Sequence, residues 1–469
     1  METPDLPPMP AWNFDPGLLR RHDRPGPRYT SYPTAPHFRA DFDAAQLRRA
    51  VIRSQARWPG RPLSLYVHVP YCSHPCFYCG CNRVITRDRG RGEAYVRRVL
   101  REAEMLAALL DPRREVVQVH LGGGTPNFLS PALIGELMAG LGRHFRFDAS
   151  PGRDVSIELD PRQACRGDIA ALAAIGFNRV SLGVQDFDPD VQRAINRIQG
   201  VRETLSLIEA CRQHGIRSVN VDLVYGLPRQ NLQGFSRTLD AVVSTRPDRL
   251  AIYGYAHLPQ VFRAQRKIAD ADLPDPELKL ALLGSAVRTL SGAGYQYIGM
   301  DHFALPEDEL AQAQRRGDLH RNFMGYTTHA GTDLLGLGAS AISHVGDSYS
   351  QNPKGLPQWE AAIDEGRLPA WRGLVLSQDD QVRADLIQRL MCQGEIDVGA
   401  IEAAYGLDFR SRFDAELRAL APLADDGLVG VEPGRVRVTD AGRPLVRLVA
   451  MCFDRYLQAP RQAAYSKAI

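Results

Sequence analysis

Residues 66–82 read YVHVPYCSHPCFYCGCN. The stretch begins inside an apolar, strand-like run, Ser64–Tyr71 (SLYVHVPY), and passes directly into a C-x3-C-x2-C pattern formed by Cys72, Cys76 and Cys79. Three thiolates at this spacing on one short loop can wrap three corners of a cubane iron-sulfur cluster, leaving the fourth iron without a protein ligand in the loop. A structural zinc site is normally closed by four protein ligands, and a zinc ribbon needs a second cysteine pair downstream, which this sequence lacks. Two alternatives stay open: His74 and Cys81 completing a zinc knot, or a set of free thiols. Cys81 reads as a loop residue near the site, and Cys165, Cys211, Cys392 and Cys452 as core residues.

Outward from this loop, strand-like runs alternate with amphipathic helical stretches. The further runs are Val116–Gly124 (VVQVHLGGG), Asp154–Asp160 (DVSIELD), Asn178–Gln185 (NRVSLGVQ), Ser218–Gly226 (SVNVDLVYG) and Arg249–His257 (RLAIYGYAH). Between the first two, Val96, Val99, Leu100, Ala103, Leu106 and Leu110 recur at spacings of three and four, predicting a helix over Glu93–Leu110. Repeated βα units imply a parallel sheet with its chemistry at the C-terminal strand ends, where polar and glycine-rich residues gather here. No G-x-G-x-x-G fingerprint and no P-loop lysine is present, so a closed or partly closed barrel is expected rather than a doubly wound nucleotide fold. From about residue 370 helical runs (Asp379–Met391, Asp397–Tyr405, Ser411–Leu420) lead into a hairpin-like LVGVEPGRVRV. The expected organisation is an N-terminal arm (1–50), a barrel with its extension (51–365) and a small, mainly helical, winged-helix-like C-terminal domain (366–469).

Composition narrows the function classes. The 469 residues carry 57 basic and 54 acidic side chains, a net +3 that argues against a dedicated nucleic-acid binder. Hydrophobic residues at 44% are ordinary for a globular protein, and no apolar run approaches the roughly 18–20 residues of a membrane span. The proline- and charge-rich N-terminus has no basic segment followed by an apolar one, so a cytoplasmic protein is expected.

The cysteine loop after the first strand of a βα barrel resembles the radical S-adenosylmethionine (SAM) superfamily, and CGCN (Cys79–Asn82) resembles its oxygen-independent coproporphyrinogen III dehydrogenases, also called oxidases. Further matching segments are PRYTSYPT (Pro27–Thr34), GGGTP (Gly122–Pro126), IELDPR (Ile157–Arg162), GVQDF (Gly183–Phe187), DLVYGLP (Asp222–Pro228), LHRNFMGYTT (Leu319–Thr328) and CFDRYL (Cys452–Leu457), so the likeness runs along nearly the whole chain. It implies an α/β fold, a partial (β/α)6-type radical SAM barrel with a small helical C-terminal domain. It also implies a 4Fe-4S cluster on Cys72, Cys76 and Cys79, with SAM on the fourth iron. The implied reaction is the conversion of the ring A and B propionates of coproporphyrinogen III to vinyl groups in haem synthesis, by a 5′-deoxyadenosyl radical. A reductase for the cluster, an electron acceptor and a monomeric state are implied as well.

The resemblance places Tyr66, Tyr78, Gly123, Gly124, Thr125, Glu158 and Ile342 beside SAM, with Phe in a family member where this chain has Tyr78. Gln185, Arg197, Asp222 and Ala256 match the set around a second SAM. Read without it, GGGTP is an ordinary turn, Glu158 a strand-end salt bridge, the tyrosines core aromatics, and Arg197 with Asp222 a structural ion pair. No residue is assigned a further catalytic role. A tetracarboxylate substrate calls for fixed cations over an apolar lining, and Arg28 and Arg321 are candidates against the plainer reading of solvated surface arginines. A haem-carrying relative shares barrel, loop and SAM binding but transfers haem. Cys81 in CGC, the PRYTSYP segment and the extended C-terminal domain favour the decarboxylase.

Overall fold

Six strands follow one another in parallel along the chain: β1 Leu63–Val69, β2 Glu115–Gly123, β3 Asp154–Leu159, β4 Arg179–Gln185, β5 Ser218–Tyr225 and β6 Arg249–Gly254. In this computed structural model, which describes residues 15–458, each corresponds to one of the expected runs, and all but β4, which ends on Gln185, stop short of the run's end. Crossovers are helical: α1 Ala44–Arg57 precedes β1, and α2 Gly90–Ala107, α3 Pro131–His144, α4 Arg166–Ile175, α5 Val201–Gln213 and α6 Leu232–Ser244 follow in turn. Apolar spacing sets the buried face of α2, where Val96, Val99, Ala103 and Leu106 are buried. Ser130 caps α3 with Pro131 in its first turn, and α4 stops at Gly176, whose φ of 109° suits a residue without Cβ.

The sheet is larger than the sequence predicts. Beyond β1 lie β7 Asp333–Leu337, parallel to it, then β8 Ile342–Val345, β9 Ser348–Gln351 and β10 Arg372–Val375, all antiparallel, giving the order β6-β5-β4-β3-β2-β1-β7-β8-β9-β10. Six βα-type strands in a row, with no closing ladder among the described residues, make a partial barrel. Leu65, Val67 and Val69 of β1 are fully buried, and burial of each such side chain contributes about 1.5–3 kcal/mol.

The N-terminal strand ends carry structural ion pairs. Asp333 at the start of β7 accepts from Arg114 Nη2 at 2.7 Å, Ser54 Oγ at 2.6 Å and the Gly346 amide at 2.9 Å. Asp154 at the start of β3 pairs with Arg179 and Arg217. Fixed charges at this end stabilise the barrel, and the opposite end is left for chemistry.

The chain forms two compact units. The strands and helices above, residues 38–274 and 331–375, are one; residues 275–330 and 376–458 with the described part of the N-terminal segment, 15–37, are the other. In the second unit Leu18, Leu19, Tyr29 and Tyr32 join the core of the C-terminal helices, and Tyr29 Oη donates to Asp454 at 3.0 Å. The expected hairpin is Val429–Glu432 with Arg435–Val438, and a third strand, Glu395–Asp397, pairs with the latter. Residues 1–14 of the expected arm lie outside the described residues. Among the described residues no helix is long and apolar enough to cross a membrane.

Two expectations about single residues need correction. Cys165 is exposed at the start of α4 and Cys452 is only half-buried, so of the four expected core cysteines Cys211 and Cys392 alone are buried. Cys165 stands at the N-cap of α4 between polar and charged neighbours, Gln163, Arg166 and Asp168, a position that faces solvent.

Candidate active site

The cysteine loop is clamped at both ends. Tyr71 and Cys72 pair in parallel with Val84 and Ile85, and the Val84 amide donates to Pro70 O at 2.7 Å and the Thr86 amide to Cys72 O at 3.0 Å. Inside the loop the Arg83 guanidinium donates to Cys79 O at 2.9 Å and to Cys76 O at 3.0 Å, tying two cysteine carbonyls to one planar fork. From the barrel, Asn196 Nδ2 donates to Pro75 O at 2.7 Å and Gln265 Nε2 to Tyr78 O at 2.8 Å.

Donors converge on the sulfurs. Thr125 Oγ1 lies 3.2 Å from Cys72 Sγ, and Arg162 Nη2 and Arg197 Nη1 lie 3.4 and 3.5 Å from Cys76 Sγ. The Cys81 amide donates to Cys79 Sγ at 3.4 Å. Burial pushes the Cys72 thiol up to about 11, whereas the hydrogen bond from the Cys81 side chain, aided by Arg83, brings Cys79 down to about 6. Among the described residues no three His, Cys, Asp or Glu side chains group as the ligands of a single ion. A cubane spreads its corners in space, so thiols bordering one cavity, with hydrogen bonds to the sulfurs, fit such a cluster.

Asp160 balances the two arginines. Its carboxylate accepts from Arg162 Nη2 at 2.6 Å and from Arg197 Nη1 at 3.3 Å, and both Arg197 and Asp160 are buried. Burial acts to raise Asp160, but Arg197 and Arg162 outweigh it and hold the carboxyl at about 2. The ion pair entertained between Arg197 and Asp222 is therefore not the one formed. Asp222 instead accepts from Ser181 Oγ at 3.1 Å and Asn220 Nδ2 at 2.8 Å, and burial, with Glu158 nearby, pushes it up to about 6.

Cys72, Cys76 and Cys79 share a cavity of about 410 Å³ with Tyr78, Gly123, Gly124, Thr125, Glu158, Gln185, Arg197, Asp222 and Ala256. Twelve of the fourteen residues singled out in the sequence thus border one space at the C-terminal strand ends. The other two stand back from it. Tyr66 stacks on His120, ring centroids 5.8 Å apart, with its hydroxyl 3.1 Å from His68 Nδ1, and Ile342 opens β8. Gln185 reaches the cavity from a bulge at the end of β4 with φ 67°, a left-handed conformation that re-aims the side chain. Sequence reasoning missed Arg83, Asp160, Arg162, Phe262 and Gln265 as cavity residues. Of these only Asp160 and Arg162 carried a signal, as polar residues directly after a buried strand.

The glycines are there for closeness. A Cβ on Gly124 would sit 2.9 Å from the Pro70 carbonyl and 3.0 Å from Tyr71 O, so the GGG backbone presses directly on the start of the cysteine loop. Glu158 accepts from the Gly123 amide at 3.1 Å through one oxygen and lies 3.3 Å from His120 Nε2 through the other. Although burial raises it, the His120 contact and the Gly123 amide hold its carboxyl below the usual range. It is an anionic acceptor with two unused lone pairs, 44% exposed into the cavity.

Comparison with known proteins agrees with this arrangement. Residues 66–242 match the radical SAM superfamily and residues 376–445 the HemN C-terminal domain. The chain is 48% identical over 461 residues to the oxygen-independent coproporphyrinogen III oxidase of Pseudomonas aeruginosa, covering 98% of this chain and 99% of that one. It is 47% identical over 458 residues to the Escherichia coli protein of the same name, covering 97% and 99%. The solved structure of coproporphyrinogen III oxidase (HemN) from Escherichia coli, described as a radical SAM enzyme, superimposes with a TM-score of 0.90 at 47% identity over 95% of this chain and 100% of the other. Identity of this extent, end to end and across both matched segments, means that the chain belongs to the oxygen-independent coproporphyrinogen III oxidase family of radical SAM enzymes.

Proposed function

We propose that this protein is a cytoplasmic, monomeric oxidoreductase of porphyrin and haem biosynthesis that converts the ring A and B propionates of coproporphyrinogen III to vinyl groups, giving protoporphyrinogen IX. The observation that carries the reading is the shared cavity: three cysteine thiols, a glycine-rich backbone and an anionic acceptor border one space at the C-terminal strand ends. A bound 4Fe-4S cluster with SAM would supply the radical chemistry for hydrogen-atom removal at the propionate β-carbon, the carboxyl group leaving as CO2 and one electron passing to an acceptor.

Cys72, Cys76 and Cys79 would hold the cluster, with Thr125 donating to the Cys72 sulfur and Arg162 and Arg197 to the Cys76 sulfur. Gly123 and Gly124 offer backbone to the methionine end of SAM, because no side chain bars the approach. Glu158 accepts the two ribose hydroxyls on its free lone pairs, and Tyr78 presents an aromatic face. Tyr66 and Ile342 act from behind this layer, Tyr66 by fixing His68 and His120. Gln185, Arg197, Asp222 and Ala256 border the part of the cavity that takes a second SAM. That chemistry would need an external reductase for the cluster and an acceptor for the electron released with CO2.

The test is anaerobic reconstitution with iron and sulfide, then incubation with SAM, dithionite, coproporphyrinogen III and a cell extract as acceptor source. Protoporphyrinogen IX formed together with 5′-deoxyadenosine, both lost in Cys76→Ala, is the expected result. Stable haem binding with the tetrapyrrole left intact would move the assignment to haem transfer.

A further inference from the structure

A short hairpin in the second unit, His320–Asn322 with Gly325–Thr327, sets Arg321 in register with Tyr326, and the guanidinium carbon lies 4.6 Å from the centre of the tyrosine ring. Arg321 is 5% exposed, and its Nε and Nη1 are buried with no hydrogen-bond partner. The plainer reading of a solvated surface arginine is thereby ruled out. Its surroundings are apolar: Tyr326 packs with Ile298, Leu319 and Cys392. A guanidinium keeps its charge on burial, so taking it out of water without a counter-charge is costly, and buried cations are ordinarily paired.

Among the described residues, the polar groups on the neighbouring elements are engaged elsewhere. Asp301 is taken by a direct ion pair with Arg28. The hydroxyls of Tyr297 and Tyr326 donate to Met300 O at 2.9 Å and Met391 O at 3.1 Å, and burial holds both phenols neutral by pushing them up. The Cys392 thiol, pushed up by burial to about 12, lies 3.3 Å from the side-chain amide of Gln388, whose oxygen accepts from the Arg321 backbone N–H at 2.6 Å. Two more cations add to the field: Arg443 donates to Tyr297 O at 2.9 Å, with Asp440 acting on it, and the charges of Arg28, Arg321 and Arg443 all reach the Tyr297 ring.

We propose that Arg321 is the recognition group for a carboxylate of the porphyrinogen, with Arg28 and Arg443 reinforcing the positive field beside it. The proposal rests on the functional reading above, which brings a tetracarboxylate to the protein. A planar guanidinium over an aromatic ring takes a carboxylate bidentately, and burial strengthens the pair. A carboxylate so stabilised resists leaving as CO2, so the role of Arg321 is in binding and not in the decarboxylation.

Coproporphyrin III, the stable oxidised tetracarboxylate, serves as the probe against the full-length reconstituted protein with SAM present. Arg321→Met is expected to weaken its binding at least tenfold, and to raise KM for coproporphyrinogen III by a similar factor with kcat changed less than threefold. Cluster absorbance stays the same. Arg321→Lys keeps the charge but loses the fork; it is expected to weaken binding about fivefold, and it carries the test if the Met chain does not fold. Unchanged affinity in both variants overturns the proposal, as does wild-type protein binding the tetramethyl ester as tightly as the free acid. Displacement of the probe by succinate below millimolar concentration would assign Arg321 to free small acids and overturn the tetrapyrrole source. Wild-type protein that binds the probe through Arg321 yet leaves coproporphyrinogen III unchanged removes the functional reading and keeps the carboxylate site.

Discussion

Replacing Glu158 tests the SAM site through one side chain. A carboxylate offers about four lone-pair positions. Here the Gly123 amide, at 3.1 Å, occupies one, and His120 Nε2, at 3.3 Å, faces another, so two remain for a vicinal diol. In Glu158→Gln one oxygen becomes an NH2 that must face either the Gly123 N–H, which also donates, or His120, whose ring can turn its tautomer because Nδ1 lies 2.7 Å from Ser156 Oγ. The second arrangement keeps contacts to both hydroxyls but makes them neutral, and charge-assisted hydrogen bonds are roughly twice as strong as neutral ones. The loss is then about 1–2 kcal/mol, a rise of about 5- to 30-fold in the Kd for SAM. Glu158→Ala removes both contacts and is expected to cost about 2–4 kcal/mol, about 30- to 1,000-fold. Equilibrium dialysis of SAM against reconstituted protein, with iron and sulfide content matched between variants, reads these numbers directly. If Glu158→Gln binds SAM with wild-type affinity, the side chain does not touch the ribose and the assignment fails.

Two further expectations concern stability. Asp160 is held at about 2 against a model-peptide value near 3.9, so it adds about 2–3 kcal/mol that is fully present above pH 4 and lost as pH falls toward 2. Asp160→Asn leaves Arg162 and Arg197 without their counter-charge and is expected to cost roughly 3 kcal/mol, with a flatter acid limb in thermal melts of the cluster-free chain. Glu102 is shifted the other way. Its carboxyl accepts from the Gly338 amide at 2.8 Å, Asn352 Nδ2 at 2.7 Å and Trp359 Nε1 at 3.0 Å, yet burial dominates and pushes it up to about 7. The native state binds the extra proton between about pH 4.5 and 7, so stability falls as pH rises through that window, by up to about 3 kcal/mol. In Glu102→Gln that slope is expected to vanish; a wild-type melting curve flat from pH 4.5 to 7 would refute the assignment.

How much of this was legible in the sequence depended on range. The six parallel strands were legible because buried strands of a βα sheet are continuous apolar runs with turn residues at their ends, and the cysteine loop because its spacing is local. Strands β7–β9 were not, since GTDLLGLGAS and SHVGDSYSQ are short and rich in glycine and serine, and their strand character comes from pairing beside β1. The hydrogen bonds from Arg162 and Arg197 to Cys76 join residues 86 and 121 positions apart, beyond anything periodicity reports. Tyr66 shows the converse: its neighbours in sequence point to the site, but stacking on His120 places it a layer behind. Arg321 could be named from the sequence but not placed, because burial of a charged side chain is set by the surrounding fold.

The clamp on the cysteine loop bears on the order of events in the protein's life. Each residue left to wander until its metal arrived would cost about 1–2 kcal/mol of conformational entropy at loading. With Tyr71–Cys72 laddered to Val84–Ile85 and Arg83 bridging the carbonyls of Cys76 and Cys79, that cost is met when the polypeptide folds. The ladder and the Arg83 bridges thus lower the ordering entropy that cluster binding would otherwise have to meet.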